Sequence, residues 1–343
     1  MRRLFLHAGV HRTATTSIQT FLRQNRDPLA AQGYLNPNWA GRNLTLMNRL
    51  FARQLAPRDL ADTLHAMADA GPAPVHSIIL SDEDICTRRL LGPLAALGRQ
   101  FDITVLLSLR RQDLWLESWH QQNVKWQWDP KLAHLPFSEF LTRRASFHWV
   151  QYDRLIDRFA DAFGAANLRV RVFEANAMPE GPVPAFCADI GLPDMSGFTL
   201  PDGQNASLAP VCSEFLRNLP LDRIRPELRA LLERAMFDVN RRLLAGRPRP
   251  PSLLMDHDTR RRILAEYAKG NARVAQRLFG RDTLFSDPLP PPDAPLADPS
   301  LPPDSPTLMA DFVAPLIEAL VPQIEQHTQT AARRIAARRQ AQA

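Results

Sequence analysis

The amino-acid sequence predicts an α/β fold of three layers, in which helices flank a mostly parallel central sheet. Short apolar runs indicate strands, and the amphipathic stretches between them indicate helices. One run, Ile103–Leu109, is almost continuously apolar, as expected of a strand that is covered on both faces. Strands that alternate with helices in this way imply right-handed crossovers and parallel pairing.

The predicted strands are Leu4–Ala8, Ser77–Leu80, Ile103–Leu109 and Leu168–Phe173. The helices predicted between them are Ser17–Gln24, Arg58–Ala70, Asp113–Gln127 and Tyr152–Phe163. From about residue 205 to 285 the pattern is helical, with helices predicted at Arg225–Leu244 and Thr259–Phe279. Ligands of parallel α/β sheets bind beyond the carboxyl ends of the strands, so the residues that follow each strand are the candidates for function.

Proline marks where the main domain ends. Residues 288–306 hold nine of the thirty prolines, a density typical of an extended linker. We therefore predict an α/β domain over residues 1–287, the linker over 288–306 and a helical C-terminal extension over 307–343.

The predicted extension carries an apolar stripe. An apolar residue recurs at every fourth position from Leu308 to Ile324, as on one face of a helix, although Pro315 and Pro322 should kink it. The stripe either packs on the rest of the chain or pairs with a second subunit. A homo-oligomer formed through this helix is therefore one expectation.

The formal net charge of +6 is concentrated at the C-terminus, where the last thirteen residues carry four arginines and no acidic residue. This distribution favours a local anion site over a nucleic-acid-binding surface, and we expect no nucleic acid as a partner. Cys86, Cys187 and Cys212 are scattered, with no histidine at metal-binding spacing. They are typical of reduced, apolar side chains, and we expect no metal site.

The hydropathy pattern contains no run of eighteen apolar residues, which predicts that no segment crosses a membrane. The apolar run that follows Met1, Arg2 and Arg3 is too short for the core of a signal peptide. A cytoplasmic protein of bacterial type is the expectation.

The first strand leads into a loop that is rich in hydrogen-bond donors and is followed by an amphipathic helix. In such a unit several backbone N–H groups converge on one point, and the positive end of the helix dipole adds to them, which makes an anion site. Five of the six residues from 12 to 17 bear side-chain donors, among them the cation Arg12. The alternative is a plain turn in which Thr15 or Thr16 caps the helix.

The loop is not a Walker A motif, which requires Gly, four residues and then Gly-Lys-Ser/Thr. Here Ala14 follows Gly9 five positions later, and Thr15 stands where the lysine should be. A P-loop kinase or other NTPase stays an alternative, although it would lack its usual lysine.

Segment His7–Gln19 resembles the 5′-phosphosulfate loop of sulfotransferases that use PAPS (3′-phosphoadenosine 5′-phosphosulfate), whose pattern is Gly-x-x-Lys/Arg-Ser/Thr-Gly-Ser/Thr-Thr. Arg12 stands for the commoner lysine and Ala14 for the usual glycine. The resemblance covers roughly residues 4–285 and implies a sulfotransferase fold of the P-loop NTPase type. It also implies that PAPS is bound by Gly9, His11, Arg12, Thr13, Ala14, Thr15, Thr16 and Ser17.

A second part of the resemblance follows the third predicted strand. Sulfotransferases place an arginine at this strand end and a serine eight residues later, and both hold the 3′-phosphate of the cofactor. Arg110 and Ser118 have that spacing. A guanidinium binds a phosphate through two parallel hydrogen bonds, and a serine hydroxyl adds a further donor. The alternative is a surface arginine pair and an exposed helix serine.

The general base is sought at the end of another strand, where Ser77–Leu80 runs into Ser81-Asp82-Glu83-Asp84. Sulfotransferases carry a catalytic His or Glu near the corresponding strand, and we predict Glu83 for this role. The alternative is a helix start with Ser81 as its cap and acids that complement the dipole. His11 and His120 are the fallback bases.

The predicted function is transfer of a sulfuryl group from PAPS to a hydroxyl or amine, with PAP (adenosine 3′,5′-bisphosphate) as product and no metal required. Arg12 would stabilise the charge on the leaving oxygen. The acceptor is a carbohydrate, a lipid or another small molecule, bound by loops near residues 34–50, 120–150 and 195–210. A PAP-binding homologue that has lost catalysis is a further alternative.

Overall fold

The structure of the chain is a computed structural model that describes residues 1–38, 40–71, 73–126, 129–192, 194–201, 207–248 and 250–342, with the backbone alone for 331–342. Within these residues, five parallel strands form one sheet in the order β2-β3-β1-β4-β5. The strands are β1 Arg2–His7, β2 Tyr34–Leu35, β3 Ser77–Ser81, β4 Phe101–Leu109 and β5 Leu168–Val172. The predicted α/β class with a parallel sheet is confirmed.

The strand β1 lies at the centre of the sheet between β3 and β4. Leu6 pairs with Leu80 on one side and with Val105 on the other, and all three side chains are fully buried. The chain builds β2 and β3 on one side of β1 before it crosses to β4 and β5 on the other. The carboxyl end of β1 therefore lies at the point where the strand order reverses, which is where such sheets bind ligands.

The helices are α1 Thr15–Gln24, α2 Arg26–Ala31, α3 Leu44–Phe51, α4 Pro57–Asp69, α5 Gly92–Ala95, α6 Gln112–Trp126, α7 Pro130–Ala133, α8 Phe137–Thr142, α9 Tyr152–Phe163, α10 Pro182–Asp189, α11 Pro210–Arg217, α12 Pro226–Leu244, α13 His257–Phe279, α14 Ser305–Leu308 and α15 Ala314–Gln342. Most predicted helices differ from these by one or two residues at an end, and Gln127 lies outside the described residues.

The chain divides into two compact units, and helix α6 contributes to both. The first unit comprises Met1–Leu116, Arg143–Asn205 and His257–Pro290, and the second comprises Glu117–Thr142, Ala206–Asp256 and Pro291–Ala343. The predicted division into residues 1–287, 288–306 and 307–343 rests on composition, and it stays a prediction.

The first unit holds the sheet. On one face Phe5, Ile79 and Leu106 form a buried cluster with apolar residues of α1 and α10, such as Phe21 and Phe186. Helix α9 packs against β4 and β5, and α13 packs against α9. Helices thus flank the sheet, as the nearly continuous apolar strands predict.

The second unit is helical and contains the predicted C-terminal extension. Phe312 and Leu316 are buried in a cluster with apolar residues of α11 and α12, and the Phe312 ring stacks on Phe215 with centroids 5.1 Å apart. Within this unit the first turns of the stripe therefore pack on the chain itself. A π-helix spans Met309–Val313, and Pro322 lies within α15.

Leu320 of the stripe also packs on this cluster, whereas Ile324 at its end is 49% exposed within the structure. The apolar residues Ile317 and Val321 beside the stripe are 56% and 48% exposed. The stretch Ser305–Thr330 is also long and apolar enough to cross a membrane on length and composition alone. The core helix of a soluble protein meets the same criterion. Pairing of the stripe with a second subunit stays a prediction.

Candidate functional site

The chain leaves β1 through Gly9 and continues beside β4. Ser108 N donates to the Gly9 carbonyl over 2.7 Å, and Val10 N donates to the Ser108 carbonyl over 3.1 Å. Gly9 has φ +93°, and a Cβ on it would lie 3.1 Å from Cβ of Glu83. Glycine is favoured here because a side chain would be strained at this backbone angle and would lie tightly against Glu83.

Two non-glycine residues of the loop adopt the left-handed conformation, Arg12 with φ 67° and Ala14 with φ 59°. Ala14 occupies the N-cap position of α1 and makes no side-chain capping bond. Its lack of a capping oxygen leaves the backbone amides at the start of α1, those of Thr15 and Thr16, for an external anion. The predicted alternative of Thr15 or Thr16 as the cap is wrong, because both lie inside the helix.

The hydroxyl groups of the loop have different surroundings. Thr13 Oγ1 donates its single hydroxyl proton to the Val10 carbonyl over 2.7 Å, and this side chain is buried. The Thr13 hydroxyl thus shapes the loop rather than donating to an anion. Thr15 is also buried, whereas Ser17 is half-buried and Thr16 exposed.

The two predicted cations, Arg12 and Arg110, come together at this edge of the sheet. Arg110 Nη1 donates to the Arg12 carbonyl oxygen over 2.8 Å, and its guanidinium lies 5.7 Å from the centroid of the Phe173 ring. Burial, and after it the charge of Arg110, lowers the pKa of Arg12 to about 10. Two like charges held this close favour the binding of an anion between or beside them.

The hydroxyl of Tyr152 fixes the backbone of Arg110. It accepts from Arg110 N over 3.1 Å and donates to the Arg110 carbonyl. Ser118 is a buried residue of α6 within the second unit. Its predicted partnership with Arg110 stays a prediction.

The predicted base, Glu83, opens a 3₁₀ turn, Glu83–Thr87, directly after β3. Its side chain is 11% exposed, and both carboxylate oxygens have partners: Arg42 Nη1 lies 3.1 Å from Oε1, and Gln19 Nε2 donates to Oε2 over 2.6 Å. Each carboxylate oxygen has two lone pairs, so Glu83 retains capacity to accept a further proton.

The cap of this turn differs from the prediction. Asp82, not Ser81, is the N-cap residue and accepts from Asp84 N. Ser81 is the last residue of β3, and its hydroxyl is hydrogen bonded to His7 Nδ1 over 2.8 Å. The prediction placed the cap one residue too early because β3 extends through Ser81.

The fallback base His11 is buried and turned toward the 3₁₀ turn. Its Nε2 lies 2.9 Å from Asp84 Oδ1, and its Nδ1 lies 3.4 Å from Cys86 Sγ. Its carbonyl accepts from Trp115 Nε1 over 2.9 Å. Both ring nitrogens therefore hold the loop in place. His120, the other fallback, is a buried residue of the second unit with Nε2 bonded to the Leu135 carbonyl.

Three residues of the site were not predicted from the sequence: Arg42, Gln19 and His7. His7 is the last residue of β1, and among the described residues its Nε2 is buried without a hydrogen-bond partner. Burial lowers the pKa of His7 to about 4, so this imidazole is neutral at physiological pH. A polar residue at the end of a central strand was the available signal for His7, but Arg42 carries no comparable signal.

Burial and charge shift the pKa values of the neighbouring Asp82 and Asp84 in opposite directions. Burial raises the pKa of Asp82 to about 6, against the opposing charge of Arg42. Burial acts in the same direction on Asp84, but the hydrogen bond from His11 and the charge of Arg42 outweigh it and lower the pKa of Asp84. Asp84, the acid that His11 contacts, therefore stays ionised to lower pH than Asp82 does.

No family model matches the chain. An uncharacterized protein of Archaeoglobus fulgidus is 26% identical over 185 residues, which cover 53% of this chain and 47% of that protein. The chain thus spans about half the length of this curated relative. The crystal structure of a sulfotransferase from Alicyclobacillus acidocaldarius has a TM-score of 0.45 and 16% identity, over 82% of this chain and 97% of that one. Neither likeness carries an activity over to this chain.

Proposed function

We propose that the chain is a sulfotransferase that transfers a sulfuryl group from PAPS to a hydroxyl or amine acceptor. The observation that carries the proposal is the strand–loop–helix after β1, where left-handed Arg12 and Ala14 present the uncapped start of α1 beside Arg110. These groups offer backbone amides and two guanidinium groups, which is the chemistry that a phosphosulfate and a bisphosphate require.

The cofactor supplies the sulfuryl group and a bisphosphate leaving group. The amides of Thr15 and Thr16 would bind the 5′-phosphosulfate, with Arg12 positioned to stabilise the charge that develops on the departing oxygen. Arg110 would hold the 3′-phosphate, together with Ser118 as the resemblance implies.

The acceptor side needs a proton acceptor within hydrogen-bond reach. Glu83 approaches the loop at Gly9 and fits this role. Glu83 would take the proton that the acceptor oxygen or nitrogen loses as it bonds to sulfur, while the bisphosphate would leave with the electrons of the sulfur–oxygen bond. The loop near residues 34–50 supplies Arg42 to the Glu83 carboxylate. Trp39 and residues 127, 128 and 202–206 of the predicted acceptor loops lie outside the described residues.

The proposal is tested by calorimetry with PAP, ADP and ATP, each with and without Mg²⁺. We expect PAP to bind without Mg²⁺ and at least tenfold more tightly than ADP, because ADP lacks the 3′-phosphate that Arg110 would hold. Folded protein that binds no PAP overturns the proposal. Binding of ATP that requires Mg²⁺, without binding of PAP, identifies a kinase or NTPase instead.

A protein that binds PAP without catalysis is the second candidate. It is favoured by one observation: Glu83 has a partner at each carboxylate oxygen, Arg42 and Gln19. Incubation of the protein and ³⁵S-labelled PAPS with a small-molecule extract separates the two. Transfer of label that is lost in the Arg12→Ala variant supports the enzyme, and binding of PAP without any transfer supports the second candidate.

A further inference from the structure

We propose that Arg42 is a positioning residue for the transfer, because its guanidinium fixes the orientation of the Glu83 carboxylate. The inference rests on the proposed function, in which Glu83 accepts the proton of the acceptor. Arg42 itself contacts neither the phosphate loop nor α1 in any ion pair or side-chain hydrogen bond that the described residues show. It acts through Glu83.

One guanidinium serves three consecutive carboxylates. Arg42 Nη1 lies 3.1 Å from Oε1 of Glu83, and Nη2 lies 2.8 Å from both Oδ1 of Asp82 and Oδ2 of Asp84. Arg42 Nε also donates to Asp82 Oδ1 over 2.9 Å. A planar guanidinium with five donors can bridge several carboxylates at once, whereas an ammonium group cannot do so in a fixed geometry.

The backbone that carries Arg42 is held on both sides of it. Asn43 N donates to the Ser81 carbonyl over 2.8 Å, and Ser81 N donates back to Asn43 Oδ1 over 2.8 Å. Gly41 has φ +81°, and a Cβ on it would overlap the carbonyl oxygen of Gln19. The segment is therefore pinned to the end of β3 and to α1, which are the two elements that contact Glu83.

Gln19 completes the orientation of Glu83. Gln19 donates to Oε2 of Glu83, while Arg42 binds Oε1. The two oxygens are thus held by different parts of the chain, Oε2 by helix α1 and Oε1 by the irregular segment before α3. The Gln19 amide orients the Glu83 carboxylate without adding charge, whereas the Arg42 guanidinium orients it and adds a positive charge. Removal of either partner leaves Glu83 with one fixed oxygen, but only removal of Arg42 changes the local charge.

Several other titratable groups face the acidic cluster. His7 from β1 interacts with Glu83, while His11 from the loop and Arg88 after the 3₁₀ turn act on Asp84. Cys86 faces the same acids, and burial raises the pKa of its thiol far above the ordinary value, so it stays neutral. Arg42 forms ion pairs with all three acids, so its removal would leave three neighbouring carboxylates without the positive charge that they share.

The test compares Arg42→Gln, Arg42→Lys and the matched control Arg277→Gln, which removes the exposed ion pair of Arg277 with Asp157. Carboxyl ¹³C NMR of protein labelled at glutamate gives the position of the Glu83 carboxyl resonance at pH 7, with Glu83→Gln as the assignment reference. The rate of ³⁵S transfer from PAPS into the extract acceptor is measured at pH 7, and the dissociation constant of PAP is measured by calorimetry.

In Arg42→Gln we expect the Glu83 carboxyl resonance at pH 7 to move from its wild-type position. Transfer at pH 7 should fall at least tenfold, while PAP binding changes less than twofold. Arg42→Lys should restore only part of the rate, and Arg277→Gln should match wild type.

An unchanged Glu83 resonance in a folded Arg42→Gln protein overturns the inference, as does a loss of rate that is matched by an equal loss of PAP affinity. Either result would make Arg42 a purely structural residue. Wild-type protein that transfers no label, or binds no PAP, instead overturns the proposed function. That failure is distinguishable because the NMR measurement needs neither cofactor nor acceptor.

Discussion

The guanidinium of Arg110 is tied to the backbone of Arg12: Nη1 of Arg110 donates to the Arg12 carbonyl oxygen over 2.8 Å. This bond joins the end of β4 to the loop after β1, although the two residues are 98 positions apart. The bond ties the Arg110 side chain to the loop and places its positive charge near the Arg12 side chain. The anion site thus depends on the pairing of two strands.

Loss of either arginine should weaken binding of PAP. We expect Arg12→Ala and Arg110→Ala each to raise the dissociation constant of PAP at least tenfold, because a charge-assisted hydrogen bond contributes about 1.5–3 kcal/mol. Arg110→Lys should recover only part of this affinity, since lysine cannot bind both the Arg12 carbonyl and a phosphate in a fixed geometry. Calorimetry at two salt concentrations gives the measurement.

Arg277→Gln serves as the control, because its ion pair with Asp157 is exposed. PAP affinity that is equal in Arg110→Ala and in wild type would remove Arg110 from the binding site.

The residues that follow the strands could be predicted to lie near one another, because parallel strands place all their carboxyl ends at one edge of the sheet. Gly9, Arg12, Glu83 and Arg110 each follow an apolar run, and the structure brings them to the same edge of the sheet. The strand β2, Tyr34–Leu35, was not predicted, since two residues are too short for a periodic pattern.

The side-chain partners were not predictable in the same way. Arg42 lies in an irregular segment with no periodicity, and its three ion pairs depend on how that segment folds over β3. The contacts of His11 with Asp84 and Cys86 likewise join residues that are far apart in the sequence. Tertiary contacts of this kind leave no local signal in one sequence.

Ala14 should be a site of backbone strain. It holds φ 59° at the start of α1, and the left-handed conformation costs an alanine about 1–2 kcal/mol more than a glycine. We therefore expect Ala14→Gly to raise the free energy of unfolding by about 1 kcal/mol, measured by urea denaturation.

The matched control is Ala66→Gly within α4, where glycine should lower the free energy of unfolding by about 1 kcal/mol. If Ala14→Gly destabilises the protein as much as Ala66→Gly does, Ala14 is not strained.

Gly41 should tolerate no side chain. Its φ of +81° and the overlap of an added Cβ with the Gln19 carbonyl would force the segment away from α1. We expect Gly41→Ala to lower the free energy of unfolding by about 2 kcal/mol or more. Gly92→Ala is the control, because a Cβ there meets nothing within 4 Å. Equal thermal unfolding of the two variants would contradict the close approach of Gly41 to α1.

His7 should make the protein less stable in acid. Burial lowers its pKa from 6.5 to about 4, so below pH 6.5 the unfolded chain binds a proton that the folded chain does not. Stability is therefore present above pH 6.5 and is lost as the pH falls toward 4, by up to about 3 kcal/mol. Asp82 acts oppositely over part of this range, because burial raises its pKa to about 6 and its contribution is lost as the pH rises.

Comparison of wild type with His7→Gln isolates the histidine, since Asp82 is present in both proteins. The free energy of unfolding of wild type minus that of His7→Gln should fall steadily between pH 6.5 and pH 4 in urea denaturation. His327→Gln, at an exposed position of α15, is the matched control and should show no such fall. A difference that stays constant with pH for His7→Gln would mean that the folded protein accepts the proton on His7 as readily as the unfolded chain does.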